Sequence, residues 1–303
     1  MFFEKLMDHQ LIGILAALGS AASWAIGAIL FKQLVNSLHP VAMTLAKGLV
    51  SSVLLGCALI SIGYEAIDIF TLGLLIASGV LGIALGDTFF FAALQNLSAY
   101  VVVVFFMLGQ VLTAVLAVLI LGETIKETET IGILLTIVGI TIVLWAQSMN
   151  EGCQSSSWIG IVYGIISMLC MSGSTLIAKQ ALYSTPTIQA TFIRMLAGML
   201  GVMLFNAMSR QKIEVIQPFK SFKFSMRFLI AVVVVTFGGF WLSMVGVKYL
   251  DVAIANTFNS TEPLFALPLA VIFLKERVTV LMVIGSLITI CGIILLTGGW
   301  WSV

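Results

Sequence analysis

Residues Leu11 to Leu34 read LIGILAALGSAASWAIGAILFKQL, and residues Trp158 to Ala181 read WIGIVYGIISMLCMSGSTLIAKQA. Each stretch is long enough to cross a hydrocarbon layer of about 30 Å, which takes about 20 apolar residues as a helix. Shifting the chain by 147 residues lays the first stretch on the second. Gly13-Ile14 then meets Gly160-Ile161, Ser20 meets Ser167, Lys32-Gln33 meets Lys179-Gln180, and Thr44 meets Thr191. After an insertion of six residues the shift becomes 153. Phe105 then falls on Phe258, Glu123 on Glu276, Gly132 on Gly285, Thr136 on Thr289 and Gly139 on Gly292. Ser20-Ala21-Ala22-Ser23 resembles the small-residue cleavage site of a signal peptide, but the recurrence of the segment in mid-chain argues against that reading.

The whole composition agrees with a membrane protein. Apolar residues make up 61% of the 303 and charged residues 9%, against about 45–50% and 25% in an ordinary globular chain. Mean hydropathy is +1.18, so too few charges remain to cover a water-facing surface. With 14 basic and 13 acidic residues the net charge is +1, which disfavours a nucleic-acid partner. Cys57, Cys153, Cys170 and Cys291 show no paired spacing, so neither a disulfide framework nor a metal site is expected.

Polar and turn-rich breaks divide the chain into ten apolar spans near 11–34, 41–62, 70–94, 98–121, 129–147, 158–181, 187–207, 227–248, 252–274 and 279–299. Continuous runs of this length favour helices over a barrel, which would need dyad alternation. The expectation is an all-α integral membrane protein whose ten transmembrane helices form two repeats of five, 1–150 and 151–303. A unit with an odd number of spans enters its second copy from the opposite side, so the two repeats are inverted. Inverted repeats are the architecture of secondary transporters, with the substrate site near the midplane between the halves.

Several short elements carry a family likeness. Leu121-Gly122-Glu123 and Leu274-Lys275-Glu276 close spans four and nine, and each is followed by a Gly-x6-Gly span. Span three holds Gly86-Asp87-Thr88-Phe89-Phe90-Phe91-Ala92-Ala93-Leu94, and span nine holds Glu262-Pro263. With the five-plus-five pattern, these make the chain resemble the EamA type of the drug/metabolite transporter superfamily. The resemblance implies export of amino acids, other metabolites or drugs, a multi-pass position in the cell (inner) membrane and cytoplasmic termini. Gln110 stands where such proteins often carry Pro in span four, so the kink that Pro263 implies for span nine is not expected there.

An ionisable group inside a span costs about 2.5–3.5 kcal/mol on insertion scales, which makes each one a functional candidate. Glu262 lies near the centre of span nine, and either binds a substrate ammonium, carries a proton, or ties two helices together. Asn256 and Asn259 share related faces and extend a polar lining. Lys47 and Arg194 are equivalent under the 147 shift. They either snorkel to the headgroups or point inward, as one cationic element in each half, to hold a carboxylate or pair with Glu262 or Asp87. Asp87 needs an interior position, and the adjacent Gly82 and Gly86 admit a close neighbour. Trp24, at the centre of span one, is an aromatic wall for substrate or plain packing. Phe89, Phe90 and Phe91 read as lipid-facing or core residues. The Gly132/Gly139 and Gly285/Gly292 pairs read as helix packing, and Glu123 and Glu276 as carboxylates near the N-terminus of the helix that follows each.

Orientation divides the signals. Cytoplasmic termini put Lys5, Lys126, Lys179 and Lys248 inside, against Lys32, Arg210, Lys212, Lys220, Lys223, Arg227, Lys275 and Arg277 outside, the reverse of the positive-inside rule. Phe219, Phe222 and Met226 recur at helical spacing beside Lys220, Lys223 and Arg227, as on a short interfacial helix.

The leading function is alternating-access transport of a small polar metabolite, an amino acid suiting a cavity with both acidic and basic groups. If those charges neutralise one another, an amphiphilic or cationic drug suits the apolar walls and Glu262. No nucleotide-binding loop is present, so proton coupling or the substrate gradient is the expected drive. The expected partners are the solute and the lipid bilayer, with no cofactor and no metal. An intramembrane enzyme is the distant alternative. His9 and His39 lie near span ends away from any nucleophile, which leaves only an Asp87–Glu262 pair and no positive catalytic sign.

Overall fold

The computed structural model describes residues 2–109, 112, 127–151, 156–209, 217–250, 255 and 258–298, and every regular element among them is helical. In chain order these are α1 Phe2–Lys32, α2 Pro40–Ile62, α3 Ile69–Asn96, α4 Ala99–Phe106, α5 Glu127–Glu151, α6 Ser156–Leu182, α7 Thr187–Ser209, α8 Phe222–Tyr249, α9 Glu262–Leu274 and α10 Val280–Gly298. Six of the described helices, α1, α2, α3, α6, α7 and α8, are long and apolar enough to cross a membrane. Helices α5, α9 and α10 carry shorter apolar stretches. The latter part of the expected fourth span, residues 110–111 and 113–121, lies outside the described residues.

The polar breaks in the sequence act as caps. The His39 ring accepts from Val41 N, with Pro40 in the first turn of α2, and the helix ends on Gly63 at φ 100°. Asp68 accepts from Thr71 N at 2.9 Å and from the Thr71 hydroxyl at 2.6 Å, and these bonds hold its carboxyl below the usual carboxylate range. Ser98 and Ser221 cap α4 and α8 in the same way. Along the spans the outer surface is apolar as well as the core. Ile60, Ile69 and Phe222 are exposed, while Ser20, Thr44, Ser167, Gln189 and Thr236 are buried. Apolar groups outward and hydrogen-bonded polar groups inward suit a hydrocarbon solvent.

The two halves are built alike, and their contacts come in pairs exchanged between them. The Ser20 hydroxyl donates to Gly239 O at 3.0 Å, and its counterpart Ser167 donates to Gly86 O at 2.6 Å. Lys32 caps the end of α3 through Leu94 O and Leu97 O, and Lys179 caps the end of α8 through Val247 O and Leu250 O. A cation over the last carbonyls of a helix complements its dipole. The six-residue insertion falls between α7 and α8. Helices α2 and α7 have 23 residues each and α3 and α8 have 28 each, so only the connection between them differs in length. Helices α5 and α10 pack through their glycines, where a Cβ on Gly285 would lie 2.8 Å from Gly139 O and one on Gly292 2.8 Å from Gly132 O. Such backbone proximity leaves no room for a side chain.

Two irregularities recur in both halves. Helices α3 and α8 each contain an eight-residue π segment, Val80–Asp87 and Val234–Trp241, which locally re-aims the side chains it carries. The α4 helix gives way to a turn at Met107, and the ninth span breaks at the equivalent Ser260, with Thr261 as the N-cap of α9. The expected kink at Pro263 is therefore a break, with Pro263 in the first turn of a new segment. The first half breaks too, so proline is not its sole cause. Gln110 itself lies outside the described residues.

Two readings of loop residues change. The segment carrying Lys220, Lys223 and Arg227 is a 3-10 turn, Pro218–Lys220, running into α8, not a separate interfacial helix among the described residues. Phe219 does not share a lipid face with the exposed Phe222 and Met226, because it packs edge-on against Phe224 and Phe228. Glu276 serves a helix N-terminus, but that of α4 in the other half instead of the following α10. Its carboxylate accepts from Ala99 N at 2.7 Å and Tyr100 N at 3.2 Å. Lys275, at φ 54° in the left-handed region, turns the chain to bring it there. Glu123 lies outside the described residues.

Candidate functional site

A cavity of about 180 Å³ lies between the halves, with walls from α1, α3, α4 and the turn after it, α6, α7, α8 and the ninth span around the start of α9. Four of the seven residues singled out from sequence line it: Trp24, Arg194, Asn259 and Glu262. Lys47 and Asp87 do not, and Asn256 lies outside the described residues.

Lys47 and Asp87 form a buried ion pair between α2 and the π segment of α3, each with a side chain 1% exposed. The Lys47 ammonium also sits 4.4 Å from the centroid of the Phe240 ring and 5.8 Å from that of Phe91, so the charge meets a carboxylate on one side and aromatic faces on the other. Burial removes the snorkelling alternative for Lys47 and for Arg194, which is 4% exposed. The two cations are nonetheless not alike. One arginine Nη donates to Ser174 Oγ at 3.0 Å and the other to Met244 Sδ at 2.9 Å. Its Nε–H has no partner among the described residues.

Ser174 is itself fixed. Its hydroxyl donates to Ser78 O at 2.7 Å, and the Ser78 hydroxyl returns a bond to Ser174 O at 2.8 Å. With its proton committed, the Ser174 oxygen is left as an acceptor for Arg194. Gly79 and Gly82 make this crowding possible. A Cβ on Gly79 would collide with the Arg194 backbone carbonyl, and one on Gly82 with Ser174.

Glu262 stands in the first turn of α9, partly exposed to the cavity, where the helix dipole favours a negative charge. The nearby Asn259 carbonyl oxygen is buried with no hydrogen-bond partner among the described residues. Trp24 lines the cavity and meets Phe240 edge-on at 4.7 Å.

Sequence reasoning missed much of the lining, although the repeat register marks it. Counterparts under the two shifts line the cavity together: Trp24 with Met171, Phe90 with Ser243, Phe106 with Asn259, and Gly109 with Glu262. Phe90, read as lipid-facing or core, is a cavity residue. In each of the last three pairs the second half supplies the polar member. Ser172, Ser174, Thr175, Arg194, Ser243, Asn259 and Glu262 all belong to it, and the first half offers aromatic rings, a valine and glycines. The chamber therefore has a polar and an aromatic side.

Comparison with known proteins agrees with this architecture. The sequence matches the EamA-like transporter family twice, over residues 11–145 and again over 158–298. It is 23% identical over 287 residues to an uncharacterised transporter of Archaeoglobus fulgidus, covering 94% of this chain and 98% of that one. It is 24% identical over 232 residues to an uncharacterised transporter of Clostridium kluyveri, covering 74% and 71%. A solved crystal structure superposes with a TM-score of 0.66 at 16% identity over 95% of this chain and 96% of that one, which is a likeness of fold. Two family matches that between them span nearly all of the two halves, with a chamber where those halves meet, make this multi-pass membrane protein a member of the EamA-like transporter family.

Proposed function

We propose that this chain is a secondary transporter that exports small polar metabolites, amino acids among them, across the cell (inner) membrane by alternating access. Ten spans form two inverted halves, 1–150 and 151–303, and the solute binds in the chamber between them. The observation that carries this reading is the chamber itself, which both halves line and which places Arg194 and Glu262 on its wall. The paired contacts of Ser20 with Gly239 and Ser167 with Gly86 support an approximate two-fold relation. Inverted repeats place that axis in the membrane plane, the geometry in which one half rocks against the other around a midplane site. A break in a spanning helix beside the site, as at Ser260–Thr261, is a further feature of such proteins.

Glu262 makes no hydrogen bond or ion pair among the described residues, which leaves its carboxyl free to exchange a proton or meet an ammonium. A second reading, export of amphiphilic or cationic drugs, is favoured by the rings of Trp24, Phe90, Phe106 and Phe240, which line the same small chamber as that carboxyl.

Proteoliposomes loaded with a labelled amino acid mixture, with and without a pH gradient, test both. Wild type is expected to move label faster with the gradient, and Glu262→Gln to lose that acceleration. Movement of cationic drugs but of no amino acid replaces the first substrate class by the second.

A further inference from the structure

Building on the transporter reading above, we propose that Arg194 is the carboxylate-binding group of the chamber and that its counterpart Lys47 takes no part in substrate recognition. The two cations occupy the same place in the two halves, but their surroundings differ by a few substitutions. Lys47 faces Asp87 and Phe91 on α3. The counterparts of those residues, under the 153 shift, are Phe240 and Met244 on α8. Arg194 thus receives a thioether, a weak acceptor, where Lys47 has a ring, and no carboxylate from its own half where Lys47 has Asp87. The Asp87 charge acts on Arg194 through space but is already paired with Lys47. Phe240 even turns the other way, laying its face against Lys47.

The first-half cation is neutralised by its own half. The second-half cation makes no ion pair among the described residues, although it is 4% exposed and lines the chamber. A guanidinium carries five N–H donors, and the described bonds are two, to Ser174 and Met244, with Nε–H unpartnered. A planar donor fork, pinned by Ser174 and left incomplete beside a cavity, fits a carboxylate. The polarity of the walls gives the ligand a direction. Its anionic end lies towards α6 and α7, and its apolar body lies against Trp24, Phe90 and Phe106.

Thermal unfolding of the purified full chain in detergent tests this, with three probe sets: the common amino acids, their methyl esters and the matching des-amino carboxylic acids. A ligand that binds the folded state raises the midpoint in proportion to its affinity. Acids of the first and third sets are expected to stabilise wild type, and their esters not to. Arg194→Gln is expected to need about 10- to 100-fold more of each acid, the loss of charge-assisted bonds, with Arg194→Lys in between. Met244→Glu puts a carboxylate where the thioether now meets the guanidinium and is expected to lose acid binding with Arg194 intact, its ligand-free unfolding midpoint reporting whether it folds. The Lys47→Met/Asp87→Asn double variant is expected to keep wild-type affinity. Equal binding of acids by Arg194→Gln and wild type overturns the inference, as does binding of esters as tight as that of acids, or stabilisation by no acid at all. Arg194-dependent acid binding without amino acid movement in proteoliposomes leaves the subsite standing and removes the transported class. Equal movement by wild type and Arg194→Gln does the reverse.

Discussion

Asp87→Asn is expected to destabilise the folded protein by about 3–5 kcal/mol, the usual cost of removing one partner of a buried pair. The variant leaves the Lys47 ammonium 1% exposed, with ring faces as its main support. Lys47→Met is expected to cost a similar amount, because it strands the carboxylate instead. The double variant removes both charges, and with them the desolvation penalty that each imposes, so it is expected to recover most of either loss. The cycle is read from thermal or denaturant unfolding of the four proteins in one detergent. A strong positive coupling marks a pair whose members exist to satisfy each other. Additive losses would show that each residue is held by something else, and would undo the view of Lys47 as neutralised within its own half.

The second large effect belongs to Glu276. Its two carboxylate oxygens accept from the first two amides of α4, donors that have no partner within their own helix. The contact joins the last loop of one half to the fourth span of the other, so its loss loosens the assembly and not merely one turn. Glu276→Ala is expected to destabilise by about 2–4 kcal/mol, from two charge-assisted bonds to a helix N-terminus. Glu276→Gln keeps an acceptor but not the charge and is expected to fall between. Amide exchange at Ala99 and Tyr100 should quicken in the Ala variant. Unchanged exchange would mean that another group caps α4.

The membrane class, the repeat and the helix ends were legible because they rest on local rules. The apolar runs and the polar breaks between them rest on neighbouring residues, and the repeat rests on identities such as Lys32 with Lys179. That these lysines cap helices distant in the chain was not legible. What escaped were facts about which faces meet. Phe90 lies in a run of aromatics read as lipid-facing or core; it is a core residue, and that it also lines the chamber was not legible. Glu276 was assigned the helix next to it in sequence, whereas the chain reversal at Lys275 gives it to a helix 177 residues away. Lys47 and Arg194 looked equivalent because the repeat equates them, and only their neighbours on α3 and α8 tell them apart. The register held the clue: setting Asp87 over Phe240 and Phe106 over Asn259 shows where two-fold likeness ends. Asn256 and Gln110 lie outside the described residues.

That loss of likeness has a mechanical side. On the transport reading proposed above, two halves with matched π segments and exchanged contacts would take each other's roles in opening to either face. A chamber polar in one half and aromatic in the other would hold a solute in one direction only. Symmetry would serve movement, and its breaking recognition.

Ser243 provides the most direct test of the central claim that the chamber opens alternately to both sides. It lines the chamber from the second half, as its counterpart Phe90 does from the first. In a background with Cys57, Cys153, Cys170 and Cys291 replaced by Ser, Ser243→Cys is challenged with a charged thiol reagent in sealed vesicles of each orientation. The expected result is modification from either side, slowed in both cases by a transported solute. Modification from one side only, at a rate that no solute changes, would contradict alternating access.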